Sequence, residues 1–60
     1  MPTTEAWLQI IEDQIETTEM VAGIFRHDPD IEAKCFAEIA DLRKEQSRLE
    51  SIILAKALAA

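Results

Sequence analysis

Twelve Asp and Glu residues, one histidine and one cysteine are the first candidates for acid–base, thiol or metal chemistry in this 60-residue chain. Asp28, Asp30 and Glu32 alternate like the start of a calcium-binding loop. Such a loop needs a glycine at its sixth position and a carboxylate at its twelfth, where Ala33 and Ile39 stand. A carboxylate-bridged di-metal site in a helical bundle needs a glutamate three residues before an inward histidine, and Ile24 precedes His27 at that distance. One histidine and one cysteine are too few for a structural zinc site. No Ser/His/Asp or Cys/His set finds its third member, and a single glycine cannot build a phosphate-cradling loop. The expectation is a chain that is not an enzyme, with no catalytic residue, no cofactor and no metal. Cys35 is expected as a small buried thiol and His27 as a turn residue.

The same residues narrow the partners. Twelve acids against six Lys and Arg give a net charge of −6, without the basic stripe that direct nucleic-acid binding requires. Apolar runs such as Ile52 to Ala55 fall far short of the roughly 20 residues of a membrane span. Glu5 stands where an export signal would carry positive charge, so a reduced, cytoplasmic setting is expected. A chain this short buries only about 60% of its unfolded surface, and one cysteine cannot staple it. Association is the remaining route to stability.

Two elements would position these groups. Leu8, Ile11, Ile15, Thr18, Ala22 and Phe25 are spaced 3-4-3-4-3, and Cys35, Ile39, Leu42, Gln46, Leu49 and Ile53 are spaced 4-3-4-3-4. That is the seam of helices packed at a shallow angle. Between them, Asp28 is a good N-cap and Pro29 suits the first helical position. Asp30 and Glu32 then face the positive end of the helix dipole. The sequence predicts an all-α hairpin, with helices over about 4–26 and 29–58 and a turn over about 27–29. Arg26 is expected in the last turn of the first helix, and Thr3 or Thr4 as its cap. Gly23 either ends that helix early or permits close packing near the turn. The expected register sets Ala22 opposite Cys35, Ile15 opposite Leu42 and Leu8 opposite Leu49, and brings Arg43, Lys44 and Arg48 level with Glu12, Asp13 and Glu16. Thr18 and Gln46 interrupt the seams; Gln46 either fixes register or reaches water at an edge.

The seam does not exhaust the apolar surface. Trp7, Ile10, Val21 and Ile24 lie beside it on the first helix and widen the apolar arc to roughly 200°, about twice what one neighbour covers. Phe36, Leu54 and Leu58 form a second stripe on the other helix, with Ala33 and Ala40. These side chains are the expected interface, and two hairpins are expected to dimerise into a four-helix bundle. The second helix outruns the first by roughly 10 Å, leaving a tail from Leu54 that either frays or docks in the assembly. Glu5, Glu12, Glu16 and Glu19 fall within about 60° of one another around the first helix. Read simply, that stripe complements the basic flank of the second helix. Read functionally, it imitates nucleic-acid phosphates on a phage- or plasmid-type inhibitor or adaptor that binds one larger protein. The architecture resembles that of plasmid RNA-binding regulators whose two-helix hairpins dimerise, and of small secretion co-chaperones. That likeness is one of architecture alone, since RNA binding needs a polar-basic face that the acidic first helix lacks. The function expected is a small acidic interaction module whose partner is a second copy of itself, a larger protein, or both.

Overall fold

The computed structural model describes residues 3–59. It consists of two antiparallel α-helices, α1 (Thr4–Ile24) and α2 (Pro29–Ala59), packed against each other as a hairpin. Both start on a side-chain cap. The Thr3 hydroxyl accepts from the Ala6 N–H at 3.1 Å, and the Asp28 carboxylate accepts from the Ile31 N–H at 3.3 Å. Each satisfies one of the free N–H groups that a helix start leaves behind.

The first helix stops at Ile24, two residues before the sequence-based boundary. Phe25 caps it with φ −101° and ψ 26°, its N–H bonded to the Val21 carbonyl. The Asp28 N–H then bonds back to the Phe25 carbonyl at 2.9 Å, which closes the turn. The reversal therefore consumes Phe25 to His27, and two expectations change with it. Phe25 leaves the helical path and is 43% exposed instead of completing the seam. Arg26 lies in the turn, and α1 carries no basic residue in its last turn.

The seam itself is where the spacing placed it. Ile11, Ile15 and Ala22 of α1 and Cys35, Ile39 and Leu49 of α2 are buried. Leu8, Leu42 and Ile52 pack against this core with part of their surface in solvent. Ile53, which the spacing put in the seam, is half-buried, but Ile52 is the isoleucine packed against the core at the far end of α2. Thr18 is satisfied within its own helix, its hydroxyl donating to the Gln14 carbonyl at 2.8 Å. Gln46 is half-buried, and no buried side-chain nitrogen or oxygen lacks a partner among the described residues. Its amide is therefore at the edge, not locked in a register-setting pair.

The resulting body measures 48 × 17 × 15 Å. A rod two helices wide cannot enclose a side chain on all sides, and none of the described side chains is fully buried. The helices differ in length, 21 residues against 31. At 1.5 Å per residue α2 is about 15 Å longer, part of it spent near the turn and the rest on the overhang. Lys56 folds back from that overhang, its ammonium donating to the Thr4 hydroxyl at 3.4 Å. The tail is helical to Ala59, with Leu58 79% exposed.

Gly23 serves neither role the sequence left open. No described residue has a positive φ, and a Cβ placed on Gly23 would meet no atom within 4 Å. Gly23→Ala should therefore stabilise the hairpin by about 0.5–1 kcal/mol through helix propensity and a less free unfolded chain. Urea unfolding of the two proteins checks this; a destabilised variant would mean that the position is occupied by something outside the hairpin.

Candidate interaction surface

The side chains left in solvent by the hairpin form two separate surfaces. Arg43 of α2 donates to the Glu19 carboxylate of α1 at 2.9 Å. This pair sets the acidic side of α1 beside the Arg43 side of α2. Phe36 and Leu54 stand seven residues before and eleven after Arg43, whole helical turns to within about 20°, and so share that face. Both are exposed, at 56% and 60%.

The opposite face is built differently. An open groove is lined by Ile10, Asp13, Gln14, Thr17 and Thr18 of α1 with Glu38 of α2. Trp7 lies on the same side, close enough to Glu45 for its indole to act on that carboxylate. Val21 and Ile24 follow Trp7 and Ile10 at fourteen residues, close to four turns, and continue the stripe. Trp7 and Ile10 are about two-fifths exposed and Ile24 68%, whereas Val21 is half-buried by the hairpin alone. The seven apolar residues singled out from the sequence thus divide between two faces. Trp7, Ile10, Val21 and Ile24 belong to one, and Phe36, Leu54 and Leu58 to the other. Met20, 62% exposed, is a further bare apolar side chain that the seam arithmetic passed over, because it stands opposite the packed face.

Charge pairing across the hairpin is sparser than complementary flanks imply. Of the basic cluster only Arg43 crosses to α1, and it reaches Glu19 instead of Glu16. Arg48 pairs within its own helix, gripping the Glu45 carboxylate with both Nε and Nη2. Glu5, Glu12 and Glu16 have no ion-pair partner among the described residues, while Asp13 accepts from the Gln9 amide at 3.0 Å. The acidic stripe therefore runs along α1 with only its turn-proximal end neutralised.

The hydrogen bonds from Arg48, its positive charge and a smaller contribution from the Trp7 indole hold the Glu45 carboxyl below its usual value of 4.5. A carboxylate whose pKa is lowered on folding favours the folded state above the unfolded pKa and loses that contribution as pH falls through the lowered value. Arg48→Gln should therefore raise the Glu45 midpoint towards 4.5 in a carboxyl-detected NMR titration while leaving helicity at pH 7 unchanged. An unmoved midpoint would show that Arg48 does not hold this carboxylate in solution.

Among the described residues no group of three His, Cys, Asp or Glu side chains is placed to hold a metal ion. No described helix is long and apolar enough to cross a membrane. Cys35 is a free thiol, 8% exposed in the seam. It should react with a thiol reagent slowly in the folded protein and rapidly in denaturant; fast labelling of the native protein would take it out of the seam. His27 lies exposed in the turn, away from Cys35 along the chain and without a hydrogen-bonded partner among the described side chains. No family model, characterised protein or solved structure matches the chain. What stands out is surface: two helices whose apolar residues are divided between a packed seam and two bare stripes.

Proposed function

We propose that the chain is a non-catalytic protein–protein interaction module that works as a homodimer, two hairpins forming a four-helix bundle. One observation carries this reading. The hairpin encloses none of its described side chains completely, yet leaves Trp7, Ile10, Ile24, Phe36, Leu54 and Leu58 in solvent. Apolar surface in this proportion is costly in water, at roughly 25 cal/mol per Å², and marks an interaction site when it is contiguous. A four-helix bundle gives each helix two neighbours and supplies the cover that one hairpin cannot. The lone cysteine, buried and unpaired, suits a reducing, cytoplasmic setting. In this reading binding is the activity and the role is regulatory.

A second reading has its own observation. Glu5, Glu12 and Glu16 stand unpaired along α1, and a stripe of free carboxylates suits an inhibitor or adaptor that occupies a basic groove on one larger protein. The chain alone is then sufficient for binding and has no need of a second copy.

Light-scattering mass across a dilution series tests the main reading. A dimer mass that persists to low micromolar concentration is expected. Replacing Val21 and Ile24 together by Glu should give a monomer with a lowered melting temperature, because the hairpin then stands without its cover. A wild-type protein that is monomeric, helical and stable throughout would remove the homodimer and leave the inhibitor reading.

A further inference from the structure

We infer that the second copy docks on α1 through an antiparallel seam of Trp7, Ile10, Gln14, Thr17, Val21 and Ile24, with the twofold axis midway between Gln14 and Thr17. This rests on the homodimer reading and says which surface makes the dimer. The six residues repeat the 3-4-3-4-3 spacing of the packed seam, shifted back by one residue. One residue turns the helix by about 100°, so α1 carries two seams at a little over a right angle. The packed seam faces α2. The other faces the groove side of the hairpin, bordered by the α2 edge near Glu38 and Glu45, and five of its six residues are exposed, Val21 being half-buried. A helix at the corner of a four-helix bundle needs two seams at such an angle.

The residue types fit a second copy in one orientation. A twofold contact pairs residue i with j and j with i. Antiparallel packing about this axis sets Trp7 against Ile24 of the second copy, Ile10 against Val21, and Gln14 against Thr17. Apolar residues meet apolar residues at both ends, and the amide meets a hydroxyl in the centre, where it can donate to it. A parallel arrangement would press indole against indole and align the two helix dipoles, which the antiparallel one opposes.

Charge selects the same face. Each copy carries −6, so a self-contact must keep its acids apart. No seam position is charged, and Glu5, Glu12, Glu16 and Glu19 lie on the far side of α1. The nearest flanking acid, Asp13, falls opposite Thr18 of the second copy. A twofold contact through Phe36 and Leu54 would instead bring two acidic stripes together, since those residues share a face with Glu19 and its neighbours. Glu38 and Glu45 sit on the α2 edge of the docking face, so the uncharged α1 seams carry the contact between the copies. Covering the seam and its flanks removes on the order of 500 Å² per copy, or about 1,000 Å² in all, the size at which a specific interface becomes plausible.

Complementary charge substitution in the full chain tests this. Ile10→Lys and Val21→Glu should each give a monomer by light scattering with helicity retained by circular dichroism. Mixed one to one, they should recover the dimer mass at a concentration at least tenfold lower than either alone, because the introduced ammonium and carboxylate face each other only in the antiparallel seam. Single variants that remain dimeric would move the interface elsewhere and leave the homodimer standing. Monomeric variants that do not recover on mixing would overturn the antiparallel pairing. A mass that climbs without limit in the wild type would show head-to-tail docking of the α1 stripe on Phe36 and Leu54 and overturn the twofold contact. Should either variant lose its helicity, a nitroxide on Glu5→Cys in a Cys35→Ala background decides. Antiparallel α1 helices offset the two labels by about 30 Å along the helix axes, whereas parallel ones set them level, so the antiparallel dimer gives the longer distance.

Discussion

Two helices can give each other only one stripe of contact, and most features of this molecule follow from that limit. A single packed neighbour covers about 100° of a helix. The apolar arc of α1 is roughly twice as wide, from Leu8 and Ile15 on one side to Ile10 and Ile24 on the other. Packing α2 on the first half buries Ile11, Ile15 and Ala22 and leaves the second half bare. A body 48 Å long and 15–17 Å across has no interior in which to hide the remainder. The core therefore stays thin: Leu49, its best-covered member, still shows 4% of its surface to solvent. No rearrangement of a lone hairpin improves on this, because turning α1 to cover Ile10 would uncover Ile15.

The turn cooperates with that packing. Asp28 both caps α2 and closes the reversal onto the Phe25 carbonyl, so the same residue starts the second helix and sets its direction. Pro29 cannot donate a backbone hydrogen bond, but at the first helical position none is needed. The chain then enters α2 with Asp30 and Glu32 at the positive end of its dipole. Across the hairpin, Glu19–Arg43 near the turn and Thr4–Lys56 at the open end hold the register at both extremities. Both are exposed, so each adds well under about 1 kcal/mol. Their effect is on alignment, and the energy resides in the seam between them.

Much of this was legible before any coordinates. The 3-4 spacing named the buried residues, and the caps were narrowed to Thr3 or Thr4 for α1 and to Asp28 before Pro29 for α2. What spacing cannot supply is where a helix stops. Phe25 continues the seam arithmetic but is spent on the turn, because a reversal between Ile24 and Asp28 needs three residues to bring the chain round. Arg26 is displaced for the same reason. Ile52, which the spacing did not name, packs against the core where Ile53 was expected. The division of the apolar residues between two faces was hidden for a different reason. A helical wheel gives angles around each helix separately, and only the sense in which α1 and α2 face each other, fixed here by Glu19–Arg43 and by Ile10 beside Glu38, says which stripes share a side.

That division shapes what the surfaces can bind. On the groove side the apolar stripe is on α1 and the acids, Glu38 and Glu45, are on α2. On the other side the roles exchange, with Phe36 and Leu54 on α2 beside the acidic stripe of α1. Each face thus offers one apolar helix edge bordered by carboxylates, never a broad apolar plane. Such a face accepts a single helix laid along the apolar edge more readily than a sheet or a flat surface, and it disfavours a docked helix that brings acids of its own. The uncharged seam on α1 meets that condition for a second copy. The Phe36 side does not, since its border is the acidic stripe itself. A hairpin whose groove side is occupied by its own twin would therefore keep the Phe36 face free, and the chemistry of that face asks for a helix carrying Lys or Arg beside its apolar residues. On the reading proposed above, self-association and recognition of a different protein would use opposite sides of one 60-residue chain.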